Sequence, residues 1–213
     1  MNDLFIVTGA DGHLGNTVVR QLAARGERVR GLVLPQSRSG ALDGLDVEVC
    51  RGDLLSPDSL DPLFAADGSR RIQVIHTAGI VSIASRRQRQ VYDVNVTGTR
   101  NLLAACRRHG VRRIVYTSSV HAIPEKPKGQ TMAEPGCIDP RRVKGLYAQT
   151  KALATRLVLG SRAAGLDPVA ETDHFSPAKP ACTKCRRAFD STDVHAFELP
   201  CPQYLVQYQP GRA

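Results

Sequence analysis

Tyr147 and Lys151 stand four residues apart in GLYAQTK, residues 145–151, inside a stretch with helical spacing. Residues four apart on a helix share a face, so one surface would carry both a phenol and an ammonium. A free tyrosine, with a pKa of about 10, is a poor base at neutral pH. A neighbouring ammonium favours the phenolate and brings that pKa down. Such a tyrosine can donate or remove a proton at a substrate hydroxyl or carbonyl. The spacing is common by chance, and two solvated residues on a helix face are the ordinary alternative. The surrounding elements have to decide.

The second chemical feature is VTGADGHLG, which places Gly9, Gly12 and Gly15 between an apolar run and a helical stretch. Glycine suits this place for three reasons: a tight turn, close approach of the backbone to a pyrophosphate, and packing of helix on strand. The helix N-terminus adds N–H groups and a partial positive charge for the phosphates.

The order of elements gives these features a frame. LFIVTGA, RVRGLVL, DVEVC, IQVIHTAG and RRIVYTSS read as strands. Helices are predicted over residues 12–25, over SPDSLDPLFAA with Ser56 as cap and Pro57 at the first position, over 88–109 and over 147–164. Gly26, Gly110 and Gly165 sit where helices should stop. Strands alternating with helices predict an α/β fold with a doubly wound parallel sheet, its ligand at the carboxyl ends of the strands.

The spacing Thr-Gly-x-x-Gly-x-x-Gly resembles the extended short-chain dehydrogenase/reductases, also called the NAD-dependent epimerase/dehydratase family. Further motifs follow in the family's order: GDL (Gly52–Leu54), HTAG (His76–Gly79), NVTGT (Asn95–Thr99), YTSS ending at Ser118 and Ser119, then Tyr147 and Lys151. Together they span roughly residues 1–165, and VIHTAGIVSI and YTSSVHAIP lean toward the 3β-hydroxysteroid dehydrogenase and dihydroflavonol reductase-like members. The resemblance implies a Rossmann fold and an NAD(P)-dependent oxidoreductase or epimerase/dehydratase acting on a secondary alcohol or carbonyl of a small molecule. It implies cofactor contacts from Gly9, Asp11, Gly12, His13, Leu14 and Gly15, from Asp53 and Leu54 at the adenine, and from Thr77, Ala78 and Gly79. Tyr147 is the implied acid/base, Lys151 holds the nicotinamide ribose, and Ser119, favoured over Ser118, orients the substrate oxygen. Asn95 either supports a proton relay through water or ties helix to strand. The second strand ends without the carboxylate that would hold the ribose of NAD, and Arg38 lies nearby, which tilts the cofactor slightly to NADP. A homodimer is compatible with the family.

Composition excludes several other classes. Hydrophobic residues at 42% with 23% charged are those of a soluble globular protein. No apolar run reaches the roughly 20 residues of a membrane span, and the acidic, strand-like N-terminus is no secretory signal; a cytoplasmic location follows by default. Cys50, Cys106 and Cys137 are too scattered for a disulfide framework. The net charge of +9 comes as scattered arginine pairs and aromatics are only 5%, so no nucleic-acid partner is expected.

Past the dyad helix the resemblance fails. Only Val169 and Ala170 look strand-like, and residues 171–213 show no sustained period of 2 or 3.6. The expected organisation is a Rossmann domain over residues 1–168 and an atypical, poorly ordered tail over 169–213, with the family's substrate lobe missing or degenerate. Three readings of the tail stay open: an out-of-frame or rearranged end, a short natural ending, or a zinc site from Cys182, Cys185, His195 and Cys201. One Cys-x-x-Cys without a second matched pair is a weak zinc signal, so no metal is assigned. Little turnover is expected, and the alternative function is a non-catalytic dinucleotide-binding module left by loss of the substrate lobe.

Overall fold

The computed structural model describes residues 3–65, 71–81, 88–127, 129–130, 135 and 137–172. The chain divides into two units, Met1–Pro124 with Cys137–Asp173 and Glu125–Gly136 with His174–Ala213. Every element named below belongs to the first. In the second, the described residues carry one turn, closed by the Gln130 N–H on the Pro127 carbonyl at 3.1 Å. The cysteines and histidine of the tail lie outside the described residues.

β1 (Leu4–Thr8) is buried along its whole length. A strand covered on both faces has no need of alternation, which is why its sequence is a continuous apolar run. It pairs in parallel with β2 (Arg28–Val33) on one side and β4 (Ile72–His76) on the other. β3 (Glu48–Arg51), β5 (Arg113–Thr117) and β6 (Asp167–Glu171) complete a six-stranded parallel sheet in the order β3-β2-β1-β4-β5-β6. The chain reverses direction of travel between β1 and β4, so the crevice at their carboxyl ends is the ligand site of such a sheet. This is the doubly wound Rossmann fold that the element order implies.

β6 is longer than its sequence suggests. Asp167 and Pro168 lack strand character, yet Pro168 stands opposite Ile114 at the sheet edge, where a missing N–H is tolerated. The Arg113 guanidinium pins the strand by donating to Asp167 Oδ2.

Helices flank the sheet. α1 (His13–Ala24) buries Gly15, Val18, Val19 and Leu22; Leu14, which the apolar spacing puts on the same face as Val18, Val19 and Leu22, is exposed instead. The helix expected over 88–109 is α2 (Gln88–Tyr92), a π-turn (Asp93–Gly98) and α3 (Thr99–Arg108) run end to end. α4 (Leu146–Gly160) carries the dyad. Leu102, Ala105, Ala154 and Val158 of α3 and α4 share one core with Leu4, Ile6, Val74, Ile114 and Tyr116 of the strands. Pro57–Phe64 forms a 3-10 turn rather than an α-helix, with Pro62 removing a donor inside it. Ser56 makes no side-chain cap there; Ser59 Oγ instead gathers the Asp53 N–H at 2.9 Å and the Ser56 carbonyl at 2.6 Å.

Candidate functional site

The glycine loop closes at the carboxyl end of β1. Gly9 has φ +66° and lies so close to the loop after β4 that a Cβ would stand 3.0 Å from Ala78 Cα. At Gly15 a Cβ would be driven into the Gly9 carbonyl and come within 2.9 Å of Thr77 Oγ1. The loop therefore folds only with bare backbone at both points. Gly12 caps α1 with no side chain, leaving the first turn open above His13 and Leu14, both exposed.

The loop after β2 is tied down on three sides. Ser37 Oγ donates to Asp11 Oδ2 at 2.5 Å. Arg51 Nη1 donates to the Pro35 and Ser37 carbonyls at 3.2 and 3.0 Å. Asn16 Nδ2 and Arg20 Nη2 each donate to the Ala41 carbonyl at 2.8 Å. Arg38 is exposed between these anchors. Ser37 and Arg51 escaped the sequence reading. The register Val33–Arg51 across β2 and β3 brings Arg51 to this loop, and strand pairing is what would have revealed it.

After β3, the Asp53 carboxylate accepts the Leu55 N–H at 2.9 Å and Leu54 is buried against Gly98. The Leu54 carbonyl accepts from Asn101 Nδ2 at 2.8 Å, which fastens this turn to α3.

Thr77, Ala78 and Gly79 form the loop leaving β4. Thr77 Oγ1 donates to the Thr8 carbonyl at 2.6 Å. Asn95, buried in the π-turn, accepts the Ile80 N–H at 2.8 Å and donates to the Ile80 carbonyl at 3.0 Å and to Thr150 Oγ1 at 3.2 Å. Its amide thus joins the β4 loop to α4. A π-turn inside a helix frequently marks a functional position.

Tyr147 and Lys151 lie one turn apart on α4. Lys151 is 7% exposed; its Nζ donates to the Thr117 carbonyl at 2.5 Å and stands 4.4 Å over the Tyr116 ring. Burial, with the Tyr147 phenol nearby, raises the Tyr116 pKa above its ordinary value. Of the two serines ending β5, Ser118 is turned inward, its Oγ 2.6 Å from Thr155 Oγ1. Ser119 caps the next turn, accepting the His121 N–H at 3.3 Å. The His121 ring meets the Tyr147 ring edge-on, centroids 6.3 Å apart. The sequence reading did not single out His121; an exposed histidine four residues past a strand carries no signal of its own. Ala122, Val143, Ala148 and Ala152 form a small apolar cluster that supports this rim.

Parallel strands put the glycine loop, the β4 loop, Ser119, Tyr147 and Lys151 at the carboxyl end of the sheet. The 3-beta hydroxysteroid dehydrogenase/isomerase family matches residues 6–168, which span all of these features. The chain belongs to that family. It is 43% identical over 162 residues to sterol demethylase protein B of Methylococcus capsulatus, covering 76% of this chain and 48% of the relative. It is 35% identical over 162 residues to human 3 beta-hydroxysteroid dehydrogenase type 7, covering 73% of this chain and 44% of that protein. The chain thus spans about half the length of the curated relatives it matches. Among solved structures, Thermus thermophilus UDP-glucose 4-epimerase in complex with NAD superposes with a TM-score of 0.66 at 28% identity, covering 87% of this chain and 61% of that one. A short-chain dehydrogenase/reductase superfamily protein from Agrobacterium tumefaciens with bound NAD gives 0.65 at 29% identity, covering 78% and 48%. Among the described residues no helix is long and apolar enough to cross a membrane.

Proposed function

We propose that this chain binds a nicotinamide dinucleotide and serves an oxidoreductase or epimerase/dehydratase reaction at a secondary alcohol or carbonyl of a small molecule. The observation that carries this reading is the bare-backbone cradle of Gly9 and Gly15 at the mouth of α1, at the carboxyl end of the sheet where Tyr147 and Lys151 also stand. A pyrophosphate needs such close backbone approach and the open first turn of a helix. Gly9, Asp11, Gly12, His13, Leu14 and Gly15 would hold the phosphates, Asp53 and Leu54 the adenine, and Thr77, Ala78, Gly79 and Asn95 the nicotinamide side. When bound, the nicotinamide supplies or accepts the hydride.

The chain's own residues do the rest. Tyr147 moves the proton at the substrate oxygen. Lys151, held on β5, supplies the positive charge beside it and reaches the ribose. Ser119 orients the substrate oxygen, a role supported by the commitment of Ser118 to Thr155. Cofactor choice lies in the loop after β2. That strand ends without a carboxylate, Arg38 is exposed beyond it and Arg51 is held against it, which favours NADP(H). The Asp11 carboxylate is the opposing charge.

Fluorescence titration with NADH and NADPH tests binding, and oxidation of a panel of secondary alcohols by the parent and Tyr147→Phe tests chemistry. Saturable binding is expected, with little turnover and that little abolished by Tyr147→Phe. Binding with turnover that is absent, or that Tyr147→Phe leaves unchanged, would favour a dinucleotide-binding module without this chemistry. Absence of binding would overturn the reading.

A further inference from the structure

His76 is fully buried at the end of β4, and both of its ring nitrogens are engaged. Nδ1 lies 2.7 Å from Thr8 Oγ1 and Nε2 lies 2.9 Å from Thr99 Oγ1. Which nitrogen carries the proton follows from the partners alone. Thr99 Oγ1 already gives its proton to the Asn95 carbonyl at 2.7 Å. Toward His76 it can only accept, so Nε2 is the N–H. Thr8 Oγ1 accepts the Ala78 N–H at 3.2 Å and gives its own proton to Nδ1. Four hydrogen bonds then run in one direction, from Ala78 through Thr8, His76 and Thr99 to the Asn95 carbonyl. A second proton, on Nδ1, would set N–H against O–H at Thr8 and break the chain.

The same ring lies against Tyr116, centroids 5.2 Å apart, and Tyr116 carries the Lys151 ammonium on its ring. Among the described residues Tyr116 and Lys151 are the ionisable groups that bear on it, and the lysine charge adds to burial in disfavouring a charged imidazole.

We propose that His76 is a positioning residue of this site: a neutral imidazole, protonated on Nε2, that fixes the Ala78 loop to β1, Asn95 to α3, and the Tyr116 floor under Lys151. One side chain thereby couples the cofactor loop to the seat of the dyad lysine. The importance of those two places rests on the function proposed above; the assignment of the proton does not.

Nitrogen-15 NMR of the imidazole tests the assignment directly in the full chain without cofactor. We expect Nε2 with an attached proton and Nδ1 without one, unchanged from about pH 8 to about pH 5, although an ordinary histidine titrates there. An Nδ1-protonated ring, or titration within that range, would overturn the proposal. Thr8→Val and Thr8→Ser test the coupling. Loss of the hydroxyl should speed hydrogen exchange of the Ala78 amide and weaken NADH, each by roughly tenfold, while serine restores both. Parent-like Ala78 exchange in Thr8→Val would show that the chain of bonds positions nothing. If the parent fails to take up NADH, the functional reading falls, and the nitrogen spectrum and Ala78 exchange still decide the role of His76.

Discussion

The Lys151 ammonium stands 4.4 Å from the centre of the Tyr116 ring while donating to the Thr117 carbonyl at 2.5 Å. The cation is thus seated on β5 by a carbonyl on one side and an aromatic face on the other. Cations over aromatic faces are worth up to about 2 kcal/mol when desolvated. In the reaction proposed above, such a seat would spare the cost of ordering a long lysine stem.

Lys151→Met keeps the stem and removes the charge. It should weaken NADH binding and cut what turnover there is by up to roughly 10²–10⁴-fold, because proton transfer at Tyr147 depends on that charge. Fluorescence titration and steady-state rates would measure the two effects separately. Parent-like values for both would show that the seated cation has no part in the site.

Gly15→Ala is the sharpest test of the cradle, because the atom a Cβ meets is the Gly9 carbonyl, a backbone group that cannot swing aside. We expect a loss of about 1–3 kcal/mol, the usual cost of overpacking, with cofactor binding lost as well. Urea unfolding provides the measurement. Unchanged stability and unchanged NADH affinity would mean that helix and loop are not packed as described.

Much of this arrangement is legible in the amino-acid order. β1 and its glycine loop stand out because a strand buried on both faces must be apolar throughout and a tight helix-strand junction must be glycine. Tyr147 and Lys151 stand out because their spacing matches a helix turn. Other parts depend on what is distant in the chain. The π-turn at Asp93–Gly98 adds a residue to one turn and leaves the apolar spacing on either side intact, so the segment reads as one helix. His76 is legible only as the first residue of the HTAG motif; its part in the hydrogen-bond chain shows once Thr8 and Thr99, 68 and 23 residues away, are seen at its nitrogens. β6 was half hidden, since Asp167 and Pro168 owe their strand geometry to pairing with β5.

The buried imidazole should also make the protein acid-sensitive. Desolvation, with the Lys151 charge adding to it, lowers the His76 pKa from 6.5 to about 3. As pH falls, the unfolded chain therefore takes up this proton before the folded one does. The stability from keeping His76 neutral is fully present above about 6.5 and is lost on the way down toward about 3, at roughly 1.4 kcal/mol per pH unit. His76→Asn should be less stable than the parent at neutral pH and show a shallower decline in acid. Urea midpoints at about pH 7.5 and about pH 5 supply the comparison. An equal decline in both proteins would place the acid sensitivity elsewhere.

Cofactor selectivity should turn on three side chains in and around the tethered loop after β2. Arg38 is exposed there, and Arg51 holds the loop through the Pro35 and Ser37 carbonyls. Both bring positive charge, and arginine suits a phosphate through paired donors. Asp11 opposes them, because its carboxylate, bonded to Ser37 Oγ at 2.5 Å, would repel a 2′-phosphate and accept from ribose hydroxyls. The opposing charges make opposite predictions. Arg38→Ala should weaken NADPH several-fold more than NADH, since an exposed charge contact of this kind is worth about 1 kcal/mol or less. Asp11→Asn keeps a polar side chain at Ser37, removes the negative charge, and should improve NADPH relative to NADH. The ratio of the two dissociation constants, measured at low salt where such charges are least screened, is the quantity to follow. If Arg38→Ala leaves that ratio unchanged and the parent binds NADH at least as tightly as NADPH, the preference for NADP(H) is wrong and Asp11 governs the choice.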